Sequence, residues 1–187
     1  MIRYIIGTDT DAGKTFYGKS LIQKGHKVIK PIETGKDSFG DLIKSDTYGY
    51  CHLQNLTLEE VNLYFFKESL SPHLASERDC IEIDKDRLLT FIYDNKDCFI
   101  ELAGGLMVPI TRDYTQLDLI KETEGQVDLV VGNKLGCINH ALLTLNILHR
   151  EQIPIRTVYI NDYGKDQTPM MLDNKKVILD YWHNLIQ

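Results

Sequence analysis

Residues 3–15 read RYIIGTDTDAGKT, an apolar strand-like run that passes into a polar loop bounded by Gly7 and Gly13 and closed by Lys14 and Thr15. A loop of this kind turns successive backbone N–H groups onto phosphate oxygens. The helix that follows adds its positive end, the lysine reaches the outer phosphates, and the hydroxyl suits Mg²⁺. Five residues separate Gly7 from Gly13, one more than the usual form of the motif, and Thr8 stands where the first glycine would be. Without a phosphate to bind, the same residues would make only a polar strand-to-helix turn.

Working outward, β-rich runs recur at 3–6, 27–30, 98–101, 128–131 and 156–160. Segments with helical apolar spacing fall at 14–24, 85–94, 139–150 and 170–184. This alternation predicts an α/β fold: a doubly wound, mostly parallel sheet with helices on both faces, in one domain over residues 1–187. Residues 49–86 read poorly and receive no detailed structure. In such sheets ligands bind at the carboxyl ends of the strands. Polar clusters stand there at 7–15, 30–35, 101–105, 132–136 and 161–162.

The 187 residues are 43% apolar and 26% charged, enough for a real core. A net charge of −6 argues against nucleic acid or anionic membrane as partner, since both require a surplus of Lys and Arg. A small-molecule substrate fits better. The cysteines, Cys51, Cys80, Cys98 and Cys137, form no C-x-x-C pair, and the first apolar run is too short for a signal peptide. Reduced thiols in a cytoplasm follow as the expectation. No stretch reaches the roughly 20 apolar residues of a membrane span.

Mg²⁺ prefers oxygen ligands in octahedral geometry, so Thr15 needs acidic company. Glu101 ends the run Cys-Phe-Ile-Glu and precedes Ala-Gly-Gly, small residues that let phosphate approach; Asp46 follows in Lys-Ser-Asp. Local sequence allows Asp46 equally to be an N-cap or a surface carboxylate. Lys30 leaves an apolar strand before Pro31, which favours an extended exit, and a second lysine near a triphosphate could stabilise a transferring phosphoryl group.

Together the segments resemble the dethiobiotin synthase family. The matching stretches are Gly-Thr-Asp-Thr-Asp-Ala-Gly-Lys-Thr at 7–15, Lys-Pro-Ile-Glu-Thr-Gly at 30–35, Ser-Pro-His at 71–73, Glu-Leu-Ala-Gly-Gly at 101–105, Lys-Leu-Gly-Cys-Ile-Asn-His-Ala at 134–141 and Asn-Asp at 161–162. The lengthened loop is that family's own form. The resemblance implies a homodimer that uses ATP and Mg²⁺ to close 7,8-diaminononanoate and CO₂ (or bicarbonate) into dethiobiotin.

Carried over by position, the resemblance gives the nucleotide Asp11, Ala12, Gly13, Lys14, Thr15 and Phe16, with Asp46, Glu101, Ala103 and Gly104 beside the phosphates and Asn161 at the base. Thr15, Asp46 and Glu101 would hold Mg²⁺. Lys30 is placed as the catalytic lysine, with Lys14 and Thr10 also in the catalytic group. Thr10, Lys30 and Thr34 would contact the diamine. Gly136, Cys137, Ile138 and Asn139, from the partner subunit, would receive the carboxylate tail of the substrate. His140 reads as a residue that packs or caps rather than a base, and His73 stays open. Relatives commonly continue past Asn161-Asp162 with a Pro-containing loop that helps enclose adenine, so a broader choice of nucleoside triphosphate is expected here.

Rival readings are a related amidating synthetase, for whose glutaminase domain the chain has no room, and a ParA/MinD-like nucleotide switch. The switch would carry a lysine five residues before Lys14, where Asp9 stands. A degenerate paralogue that binds nucleotide without turnover is the third; intact Lys14, Lys30, Asp46 and Glu101 speak against it.

Overall fold

The computed structural model describes residues 1–36 and 45–185. In chain order its elements begin β1 (Arg3–Gly7), α1 (Lys14–Gln23), β2 (Val28–Ile29), β3 (Ile32–Glu33), α2 (Asp46–Gln54), α3 (Leu58–Val61), β4 (Tyr64–Phe65) and α4 (Pro72–Asp79). They continue with α5 (Lys85–Asp94), β5 (Phe99–Gly105), β6 (Pro109–Thr111), β7 (Tyr114–Thr115), α6 (Gln116–Glu122), β8 (Gln126–Gly132), α7 (Cys137–Arg150), β9 (Ile155–Asn161) and α8 (Pro169–Leu185).

The central sheet has the order β2-β5-β1-β8-β9, every pair parallel. Alternation along the strands divides its side chains between two cores. Tyr4 and Ile6 of β1, Ile100 and Leu102 of β5, and Val127, Leu129 and Val131 of β8 join α5, α6, α7 and α8 residues such as Leu88, Ile120, Leu145 and Ile178. Ile5, Phe99 and Val130 point the other way, onto Tyr17 and Leu21 of α1 and Tyr50 of α2. Helices therefore cover both faces, as the sequence pattern predicts. Among the described residues no helix is long and apolar enough to cross a membrane, and the four cysteines are free.

Two differences matter for the site. Glu101 does not end its strand: β5 runs on through Ala103-Gly104-Gly105, and Glu101 pairs with Ile5 in the interior of the sheet. The small residues that suggested a strand end let β5 continue beside β1, where a Cβ at Gly105 would come within 3.4 Å of the Gly7 carbonyl. The poorly legible stretch from 49 holds α3, β4, α4 and most of α2, with β3 and β4 forming a small parallel pair of their own. Its elements are too short to show a period.

On α1, Gly18 makes room for α2: a Cβ there would lie 2.1 Å from the Tyr50 hydroxyl and 2.9 Å from its ring.

Candidate active site

The loop 7–15 opens on α1. Gly13 is the helix N-cap at φ +99°, in the left-handed region, and no side chain caps the helix, so its first amides remain available to an anion. A Cβ on Gly13 would also strike Asn161 Nδ2 at 2.0 Å. At Gly7 a Cβ would lie 2.7 Å from the Asp9 carbonyl and 3.2 Å from the Lys14 ammonium, so both glycines are sterically required. The exit of β9 ties the loop down. Asn161 Nδ2 donates to the Ala12 carbonyl at 3.1 Å, and the Tyr163 hydroxyl donates to the Asp11 carbonyl at 3.0 Å, a reach allowed because Gly132 has no side chain beneath the phenol.

Beside the loop lies a buried cluster of charge. Lys30, at the exit of β2, has its backbone fixed on both sides, by its own N–H to Val61 and by Asn62 Nδ2 on its carbonyl. Its ammonium meets Asp46, lies 3.0 Å from Glu101 and 3.8 Å from Glu33. Burial alone would lower the pKa of Lys30, and the carboxylates of Glu101, Asp46 and Glu33 outweigh it and hold the ammonium above the usual lysine range. Lys14 goes the opposite way, lowered by burial with the Lys30 charge adding to it. Burial would raise the Asp46 carboxyl, but Lys30 and the Thr15 hydroxyl hold it below the usual range.

Asp46 is neither the N-cap nor a free surface group. Ser45 is the N-cap of α2 and its hydroxyl accepts from the Tyr48 N–H; Asp46 is the first helical residue. Buried Glu33 accepts the two preceding amides, Asp46 N–H on one oxygen and Thr47 N–H on the other, both at 2.9 Å. The first turn of α2 is thus saturated with acceptors and its position fixed. One turn on, Tyr50 donates to Glu101, whose other oxygen accepts from Thr15 Oγ at 3.3 Å. Burial and the Glu101 charge raise the Tyr50 pKa, so the phenol stays a donor.

A cleft of about 1080 Å³ gathers most of the residues expected from the sequence: Thr10, Asp11, Gly13, Lys14, Thr15 and Phe16 from the loop and the first turn of α1, then Lys30, Thr34 and Asp46, then Glu101, Ala103, Gly104 and Asn161. Ala12 is buried under the loop, outside the cleft lining. Gly136, Cys137, Ile138 and Asn139 are likewise outside it, at the start of α7, where Gly136 is the N-cap and Cys137 is buried. His140, expected to pack or cap, is exposed on α7. Asp9, at the position where a switch protein would carry lysine, pairs with Lys134 at 3.1 Å.

The sequence reading assigned nothing to Glu33, Tyr50 or Gln116. Glu33 lies within Lys-Pro-Ile-Glu-Thr-Gly at 30–35, and an acidic side chain just past a lysine and a proline is its signal in the sequence. Tyr50 had none. Buried Gln116 opens α6 and donates to the Ala103 carbonyl, holding the far end of β5.

The donor set suits a hard cation. The Thr15 hydroxyl and the carboxylates of Asp46 and Glu101 are all oxygen ligands around one point, where the Lys30 ammonium now supplies the positive charge. Among the described residues no group of three or more His, Cys, Asp or Glu is placed to hold a metal ion.

A parallel doubly wound sheet with a glycine-bounded phosphate loop at the mouth of β1 and a lysine-carboxylate cluster beside it defines a P-loop nucleotide-binding enzyme. A family model described as "AAA domain" matches residues 3–181. An ATP-dependent dethiobiotin synthetase of Legionella pneumophila (strain Paris) is 41% identical over 182 residues, covering 92% of this chain and 85% of the relative. One from Francisella tularensis subsp. tularensis (strain WY96-3418) is 40% identical over 166 residues, covering 81% and 73%. The chain belongs to the ATP-dependent dethiobiotin synthetase family of enzymes.

Among solved structures, a ParA family ATPase from Chlorobium tepidum TLS aligns with TM-score 0.50 at 12% identity, over 95% of this chain and 79% of its own. The kinase domain of Escherichia coli tyrosine kinase ETK aligns with TM-score 0.51 at 16% identity, over 89% and 70%. At that identity they speak for the fold alone.

Proposed function

We propose that this chain is a cytoplasmic, homodimeric dethiobiotin synthase that closes the ureido ring of dethiobiotin from 7,8-diaminononanoate, CO₂ and ATP. One amine captures CO₂ as a carbamate. A carbamate oxygen then attacks the γ-phosphorus, ADP leaves, and a carbamic-phosphoric anhydride results. The second amine attacks the anhydride carbon, phosphate leaves, and the cyclic urea closes.

The observation that carries this reading is the Lys30 ammonium, buried among Glu33, Asp46 and Glu101 in the same cleft as Lys14. On this reading the loop amides and Lys14 bind the phosphates, and Lys30 stands between the carbamate and the γ-phosphoryl group, where its charge stabilises the equatorial oxygens as they become more negative. Phosphoryl transfer depends chiefly on such positioning and cationic stabilisation. Thr10 and Thr34 orient the diamine, and the start of the partner's α7 takes its carboxylate tail. Mg²⁺, held by Thr15, Asp46 and Glu101, would neutralise phosphate charge.

Phosphate release measured with diaminononanoate, bicarbonate, Mg²⁺ and ATP, each omitted in turn, tests the proposal. Release that needs all four is expected. Release that ignores the diamine overturns the reading in favour of a nucleotide switch. Comparing ATP, GTP and CTP under the same conditions tests the expected breadth of base choice, which a strong ATP preference contradicts.

A further inference from the structure

Ser71-Pro72-His73, at the start of α4, has no part in the mechanism above. Ser71 is the N-cap of that helix, yet its hydroxyl makes no cap bond. An N-cap serine ordinarily accepts an amide of the first turn. Here the hydroxyl is instead 3.1 Å from His73 Nδ1. Ser71 lines the cleft together with Thr10, Lys30 and Thr34, and His73 stands half-buried behind it. Glu77, one turn along α4, interacts with the imidazole, and Arg112, just beyond β6, forks Glu77 at 2.6 and 2.7 Å.

A substrate primary amine, like a lysine with its pKa of about 10.4, is an ammonium at neutral pH and cannot attack CO₂ until it loses a proton. Glu101, Asp46 and Glu33 hold Lys30 as an ammonium, Lys14 is committed to the phosphates on the synthetase reading, and Asp46 and Glu101 are engaged with Lys30. We propose that Ser71 and His73 form the proton-accepting pair that frees the diamine for carboxylation, an assignment that rests on the synthetase reading. With Nδ1 unprotonated, the Ser71 hydroxyl donates to it. The ammonium proton passes to Ser71 Oγ as that oxygen gives its own proton to Nδ1. The lone pair released on nitrogen forms the bond to CO₂, the second N–H proton leaves to solvent as the carbamate forms, and the imidazolium returns its proton to water. A positioned base of this kind typically contributes 10²–10⁴-fold.

The test is steady-state phosphate release by the full chain with ATP, Mg²⁺, bicarbonate and diaminononanoate. His73→Ala and Ser71→Ala each lower kcat/KM for the diamine by about 10²-fold, while the KM for ATP holds. Added imidazole restores His73→Ala but leaves Ser71→Ala slow, and Ser71→Thr retains turnover. Parent-like turnover of His73→Ala, or a loss that imidazole does not relieve, overturns the pair. If His73→Ala misfolds by circular dichroism, Ser71→Ala decides alone, and parent-like turnover there overturns it. A parent enzyme whose phosphate release ignores the diamine refutes the synthetase reading itself, and the pair falls with it.

Discussion

Two buried carboxylates sit on either side of Ile5 in one row of the sheet, Glu101 on β5 and Asp128 on β8, both projecting toward α1 and α2. Each accepts from a tyrosine of those helices, Tyr50 for Glu101 and Tyr17 for Asp128, the latter at 2.8 Å. Each also meets a cation, but of a different kind. Asp128 takes the planar fork of Arg156, with Nε on one oxygen at 2.7 Å and Nη2 on the other, and the guanidinium lies over the Phe99 ring at 4.9 Å. Glu101 shares the compact ammonium of Lys30 with Asp46 and Glu33 and opens on the cleft. A forked arginine fixes one geometry, whereas a lysine is a point charge that several oxygens can divide. The same row thus builds a closed clasp on one side and a charge cluster open to the cleft on the other, where the proposed function places the chemistry.

Lys30→Ala should separate the two most sharply. We expect turnover to fall by about 10³-fold, on the scale of removing a transition-state charge donor. Nucleotide affinity, read by equilibrium binding, should stay near that of the parent. Equal loss of both would reduce Lys30 to a docking group.

Asp128→Asn should act on the fold instead. Removing one partner of a buried pair commonly costs 3–5 kcal/mol, but Arg156 is part-exposed and can turn to water, so about 2 kcal/mol is expected here. Denaturant unfolding measures it, and the folded fraction should keep its specific activity.

The tyrosines give a finer contrast. Tyr17→Phe and Tyr50→Phe should each cost about 1.5 kcal/mol, the lower worth of a buried hydrogen bond to a charged group. Only Tyr50→Phe should slow phosphate release. Equal kinetics in the two variants would mean that Tyr50 merely packs.

The smallest effect is in pH. Asp46, held below its ordinary range, contributes stability that is present above its unfolded pKa of about 3.9 and is lost as pH falls through its lower folded value. Lys30→Gln removes the main cause of that depression and leaves part-exposed Asp46 and buried Glu101 with less compensation. The gap in Tm between parent and variant should therefore be widest near pH 7 and narrow as pH falls past about 4. A gap that widens in acid contradicts this sign.

These contrasts also separate what the sequence carries openly from what it hides. The period of β1, β5 and β8 and the loop 7–15 are local patterns, so the parallel sheet, Lys14, Thr15 and Lys30 could be read directly. Glu101 was legible as an acid beside small residues, though its place within β5 depended on pairing with β1. Glu33 was legible only as an acid past Lys30 and Pro31, and the roles of Glu33, Tyr50 and Arg156 were not, because each acquires its partner from another element of the fold. Glu33 reaches 13 residues ahead to the amide of Asp46, Tyr50 51 residues to Glu101, and Arg156 28 residues back to Asp128. A charge or a phenol announces itself in a sequence; its counterpart across a fold does not.

Gly18 lies one turn past the phosphate loop, outside the cleft lining, yet Tyr50 fills the space its side chain would take. A single methyl at that position would act as a wedge, prising the phenol away from Glu101. The seam between the first two helices is therefore mechanically continuous with the chemistry, and engineering that thickens it for rigidity will retune the enzyme from behind.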